Sequence, residues 1–178
     1  MKKFFAALIM LVLIILSTSC GTKFTPNSRT LGLTQDEFNQ RFLANVNALA
    51  TSMGIGEQAT SMEFLKKESK PGEVSTTYQL SDTMLLTETI NSENLEIKEI
   101  TVFCGDKSVW EIRTAEAAYV AAIKAVSPEM TSEDFLKLQK DLKFDENEIS
   151  EYEEVTINTI FYSRYANNSA IGYKIFVR

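Results

Sequence analysis

The apolar positions of this chain change period several times, and each change marks a predicted element. Phe38, Phe42, Val46 and Leu49 recur every three or four residues, with Leu43 and Met53 near the same side, which gathers them on one face of a helix. Thr34 and Glu37 make a capping box at its start, and Gly54 and Gly56 supply its stop. The period then falls to two. Thr60–Glu68, Val74–Ser81, Met84–Ile90, Leu95–Cys104 and Lys107–Ile112 are rich in Thr, Val, Ile and aromatic residues. Pro71-Gly72, Ser81-Asp82, Asn91-Ser92 and Gly105-Asp106 separate them, and such short links favour antiparallel hairpins. Ala115–Val126 is an Ala-rich helix closed by Ser127-Pro128, and a second helix, capped by Thr131 with Phe135, Leu138 and Leu142 on one face, follows at once as an αα-hairpin. Two strands finish the chain, Glu154–Tyr165 and Ile171–Val177. They are joined across Ala166-Asn167-Asn168-Ser169, where asparagine tolerates the positive φ of a tight turn.

Runs of strands followed by runs of helices indicate an α+β fold. The expected architecture is an antiparallel sheet of about six to seven strands packed against an N-terminal helix and a central helix pair. Alternation along the last two strands assigns Val155, Ile157, Phe161 and Ile175 to the core and turns Tyr162 and Arg164 toward solvent. Trp110 falls on the predicted strand Lys107–Ile112. Cys104 closes an apolar run; with no histidine to activate it and no CxxC partner, it reads as a buried core thiol.

The first twenty residues follow a different rule. Lys2 and Lys3 precede an uninterrupted apolar run from Phe4 to Leu16, and Ser17-Thr18-Ser19 lead into Cys20-Gly21. That order is the n-region, h-region and cleavage site of a secretory signal. The segment resembles the lipobox of bacterial lipoproteins, with Ser17 where the family usually has leucine and Leu16 one place further back. The resemblance implies cleavage before Cys20, a diacylglycerol thioether on its thiol and acylation of its new amino group. The 13 apolar residues fall short of the roughly 20 that a membrane-spanning helix needs. The chain therefore divides into a signal peptide at 1–19, a lipidated cysteine with a polar tether at 20–30, and one globular domain at 31–178. The expected location is the cell envelope, on the outer face of the cytoplasmic membrane or on the outer membrane, with Gly21 after the cysteine permitting either.

Removing residues 1–19 takes away two of the 18 Lys and Arg residues and none of the 24 acidic ones. The mature chain then has 16 basic and 24 acidic side chains, a formal charge of −8. Nucleic acid is excluded as an expected partner, because phosphate neutralisation needs clustered Lys and Arg. Without histidine there is neither a Ser-His-Asp triad nor an imidazole zinc site, and no phosphate loop or nucleophile elbow is present. The acidic run Asp145–Glu154 fails as a calcium loop, since Ile149, Ser150 and Thr156 stand where oxygen ligands, glycine and glutamate are required.

Cys20, as the lipidation site, is thus the one assigned functional residue; no catalytic, cofactor-binding or metal-ligating residue is expected, and no cofactor. The leading expectation is a non-catalytic lipoprotein anchored in the membrane, a protein-binding or assembly module whose partner is another envelope protein. A lipid-anchored receptor for a small ligand and a carboxylate-based hydrolase remain as alternatives.

Overall fold

The structure is a computed structural model that describes residues 30–53, 62–105, 108–144, 152–166 and 170–178. Helix α1, Gln35–Met53, is followed by strands β1, Glu63–Lys70; β2, Glu73–Ser81; β3, Met84–Asn91; and β4, Ile97–Cys104. Helices α2, Val109–Val126, and α3, Ser132–Asp141, come next, then β5, Tyr152–Ile157; β6, Ile160–Ala166; and β7, Ile171–Phe176. The strands form one antiparallel sheet in the order β1-β2-β3-β4-β7-β6-β5. The fold is α+β, as the pattern of periods predicts. The last strand of the chain lies inside the sheet, between β4 and β6.

Each helix starts where a short polar side chain offers itself to free backbone N–H groups. Glu37 Oε2 accepts from the Thr34 backbone N–H at 2.9 Å, while Thr34 Oγ1 accepts from Glu37 N, which closes the predicted capping box. This bonding holds the Glu37 carboxyl below the usual carboxylate range. Thr131 Oγ1 accepts from Asp134 N at 3.1 Å at the start of α3, and Ser108 Oγ accepts from Glu111 N at 3.3 Å at the start of α2.

The helices cover one face of the sheet. Along β3 every second residue, Met84, Leu86, Glu88 and Ile90, is buried beneath them, and the same face continues through Ile100, Val102 and Cys104, then Ile171, Tyr173 and Ile175. From above, α1 contributes Phe38, Phe42, Val46 and Leu49 and α2 its small residues Ala115, Ala118, Ala121, Ala122 and Ala125. Small residues on α2 bring α1 close, so that Asn45 Nδ2 donates to the Ala121 carbonyl at 3.2 Å. Full burial of a large apolar side chain contributes about 1.5–3 kcal/mol, and this face is where the fold obtains it. Two of the buried tyrosines inside it are paired: Tyr119 donates to the Lys174 carbonyl at 3.1 Å, and the Tyr162 and Ser127 hydroxyls lie 2.8 Å apart.

Two sequence expectations are corrected. Lys107–Ile112 is not a strand: Ser108 caps a helix that runs from Val109, and Trp110 stands exposed in its first turn. Nor is Glu154–Tyr165 one strand. Asn158 and Thr159, with φ of 49° and 71°, form a two-residue turn that folds it into the β5–β6 hairpin, pairing Ile157 with Ile160. Such a turn needs positive φ at both central residues, and glycine normally supplies it. A two-residue turn also reverses parity beyond it. Val155 therefore shares a face with Tyr162 rather than with Phe161, so Tyr162 and Arg164 are buried and Phe161 faces outward. Cys104 is buried, as expected.

Candidate functional site

Among the described residues, no other element covers the face of the sheet turned away from the helices. Cross-strand pairing arranges it in three rows. At one end stand Ser75, Thr89, Glu99, Phe176, Phe161 and Thr156. The middle row is polar, running Thr77, Thr87, Thr101, Lys174, Ser163 and Glu154. The third row is Gln79, Leu85, Phe103, Gly172, Tyr165 and Tyr152, and it is mostly apolar.

The first two rows are knitted together by side chains. Ser75 and Thr89 hydroxyls lie 3.0 Å apart and those of Thr77 and Thr87 3.1 Å apart. Phe161 and Phe176 stack with centroids 5.3 Å apart, and the Arg178 guanidinium sits 4.3 Å from the Phe161 centroid. Lys174 pairs with Glu99 at 3.1 Å, and Arg178 reaches both carboxylate oxygens of Glu154, at 2.8 and 2.9 Å. Exposed pairs of this kind contribute about 0–1 kcal/mol each, so they order the face more than they stabilise the fold. In the third row the Tyr165 ring lies on Gly172, in the space that any Cβ there would need. Glycine at this position is what lets an aromatic ring lie against the sheet between Phe103 and Tyr152.

The third row also has a definite place relative to the chain entry. Leu31 N donates to the Ile97 carbonyl at 2.6 Å and Ile97 N to the Leu33 carbonyl at 2.8 Å, so the chain enters beside the first residue of β4. Thr30 bonds to Glu96 at the same end. The third row crosses β4 at Phe103, six residues on, roughly 20 Å away at about 3.3 Å per strand residue. Trp110 and Phe64, each 61% exposed, and Tyr152, 54% exposed, stand at that far end too. These three large exposed side chains lie on β1, α2 and β5, spread across the width of the sheet rather than in one patch.

The β1 edge of the sheet is protected. β1 is exposed throughout and carries Lys66, Lys67 and Lys70, and its pairing with β2 slips between Phe64 and Lys66. Charged side chains and a bulge discourage the addition of a further strand.

Among the residues singled out by sequence, Cys20 and most of the acidic run, 145–151, lie outside the described residues. Tyr162 and Arg164 belong to the inner face; Arg164 Nη1 donates to the Lys143 carbonyl at 2.8 Å and so closes the C-terminal end of α3. Burial pushes the Tyr119, Tyr162 and Tyr173 hydroxyls well above their ordinary range, which keeps them neutral hydrogen-bonding groups. Burial also lowers Lys124 to about 8 and raises Glu88 to about 8. The described residues contain no group of three or more acidic, Cys or His side chains placed to hold a metal ion, and no helix long and apolar enough to cross a membrane. The outer-face residues Leu85, Phe103, Phe161, Tyr165 and Phe176 were not legible as one surface from sequence. For Phe161 and Tyr165 the signal that reveals them is the Asn158-Thr159 turn, which sets the parity of β6.

Comparison with known proteins finds no matching family model, no matching curated protein and no matching solved structure.

Proposed function

We propose that this protein is a cell-envelope lipoprotein, anchored through an acylated Cys20, that binds another envelope protein on the open face of its sheet. The observation that carries this reading is the third row, Leu85, Phe103, Tyr165 and Tyr152: apolar, uncovered, and at the end of the sheet opposite the chain entry. A domain tethered at Thr30 presents that end away from its anchor. Aromatic side chains supply much of the contact energy at protein interfaces, and here they sit on a rigid sheet whose ordering cost folding has already met. The acidic balance of the mature chain favours a partner whose docking surface is neutral or basic. The role is one of binding rather than catalysis, and it requires no cofactor.

The test is in-cell crosslinking and pull-down of the full-length protein beside Cys20→Ala and Phe103→Ala versions, with intact mass measured for each. A Cys20 carrying the mass of its acyl chains, and one dominant envelope partner that is retained by the parent and lost from Phe103→Ala, supports the proposal. An unmodified Cys20 overturns the anchor. A lipidated protein whose partners are unaffected by Phe103→Ala overturns the docking face, and a lipidated protein with no partner moves the weight to a small-ligand receptor.

A further inference from the structure

Glu88 is the most enclosed carboxyl among the described residues, with no solvent exposure, on the helix-covered face of β3 between Leu86 and Ile90. Its cross-strand neighbours are Thr76 on β2 and the apolar Ile100 on β4. Above it lies the first half of α1. Glu88 Oε2 accepts from Gln35 Nε2 at 2.6 Å, whereas Oε1 is buried and has no hydrogen-bond partner. One turn further along α1, Asn39 Nδ2 donates to the Tyr78 hydroxyl at 3.4 Å, and Asn39 Oδ1 is likewise buried and unpartnered. The other charged or titratable groups acting here are Asp36 on α1 and Tyr78 on β2. Asp36 is negative, and no positive group contributes to the Glu88 balance.

Two orphaned acceptor oxygens in one enclosed cluster would each carry an unmet desolvation penalty if the carboxyl were ionised. A single proton resolves both. We propose that Glu88 is a neutral carboxylic acid whose proton, on Oε1, is donated to Asn39 Oδ1, so that Glu88 serves as a pH-sensitive latch holding α1 on the sheet. The carboxyl then uses both ends, accepting from Gln35 and donating toward Asn39, and fastens two successive turns of α1. Burial, reinforced by Asp36, raises its titration to about 8 from 4.5. The sign follows from that direction. A carboxyl raised in the folded state contributes stability fully present below about pH 4.5, lost progressively as pH rises, and gone above about pH 8. Alkaline conditions loosen α1, the element joined directly to the segment that enters at Thr30.

The experiment is the folding equilibrium constant of the full chain from acid to alkaline pH, compared with Glu88→Gln. Glutamine keeps the acceptor for Gln35 and offers an N–H in place of the acid proton, but cannot ionise. The ratio of variant to parent constants is expected to rise by up to about tenfold per pH unit across the window and to level off above it. All other groups titrate alike in both proteins and cancel. A ratio independent of pH overturns the proposal; it would mean that the Asn39 amide is turned round, donating to an ionised Glu88.

Should Glu88→Gln fail to fold, amide exchange of the parent at about pH 6 and about pH 9, corrected for intrinsic rates, decides. Protection lost selectively in α1 supports the latch. Equal loss in α1 and in β6–β7 overturns it.

Discussion

Leu86, Val102 and Tyr173 lie fully enclosed beneath the helices, while their immediate neighbours Leu85, Phe103 and Lys174 look outward and keep contact with water. The same strands make both surfaces, one residue apart. Inside, close packing dominates: Tyr119 and Tyr173 stack at 4.9 Å, and the Tyr162 hydroxyl meets that of Ser127. Outside, the residues touch mainly one another along cross-strand rows. The lesson is that register alone decides which residues hold the fold and which are available to a partner, so a change at one face should separate stability from binding.

That separation can be broken or sharpened by substitution. The largest effect is expected for Phe42→Ala: its ring is fully buried on α1 and stacks on Phe38 at 5.5 Å, and its loss should lower stability by about 4 kcal/mol in denaturant unfolding. Ser127→Ala should cost about 2 kcal/mol, because the buried Tyr162 hydroxyl is left without its partner, and Tyr162→Phe in the same background should recover most of that loss. Thr159→Gly should act in the opposite direction, raising stability by about 1 kcal/mol, since a β-branched residue at φ 71° is strained and glycine is not. Last comes Phe103→Ala on the outer face, expected to change stability by no more than about 1 kcal/mol while abolishing partner capture. A Phe103→Ala loss as large as that of Phe42→Ala would mean that the outer face is part of the core after all.

Much of the architecture was legible in the sequence. The α+β class, the helix from Thr34, the helix from Thr131 and the burial of Cys104 followed from period and capping chemistry, because those signals are local. Two failures trace to turns. Ser108 and Glu111 have the spacing of a capping box, yet Val109, Trp110 and Ile112 have strand-forming character, and the cap prevails because α2 continues for 18 residues against the sheet. Asn158-Thr159 contains no glycine or proline, and one asparagine beside a β-branched residue is a weak signal for a hairpin. The strand count of seven still emerged, since one false strand offset one undivided pair. Part of the candidate face was hidden by the same turn: with parity reversed, Phe161 leaves the expected core and, with Tyr165, joins Phe103 and Phe176. Residue chemistry was readable from the first, whereas its side of the sheet depended on two residues held at unusual backbone angles.

The position of β7 has a consequence in time. Residues 171–176 are made after the other six strands of the sheet, yet they are the hydrogen-bonded link between β4 and β6. Until they appear, the growing polypeptide holds a four-stranded piece and a separate hairpin, neither able to complete the other. Assembly of the whole sheet therefore waits for β7. For a polypeptide that is to be carried across a membrane before it folds, as proposed for this one, that order keeps the finished sheet out of reach until β7 has passed.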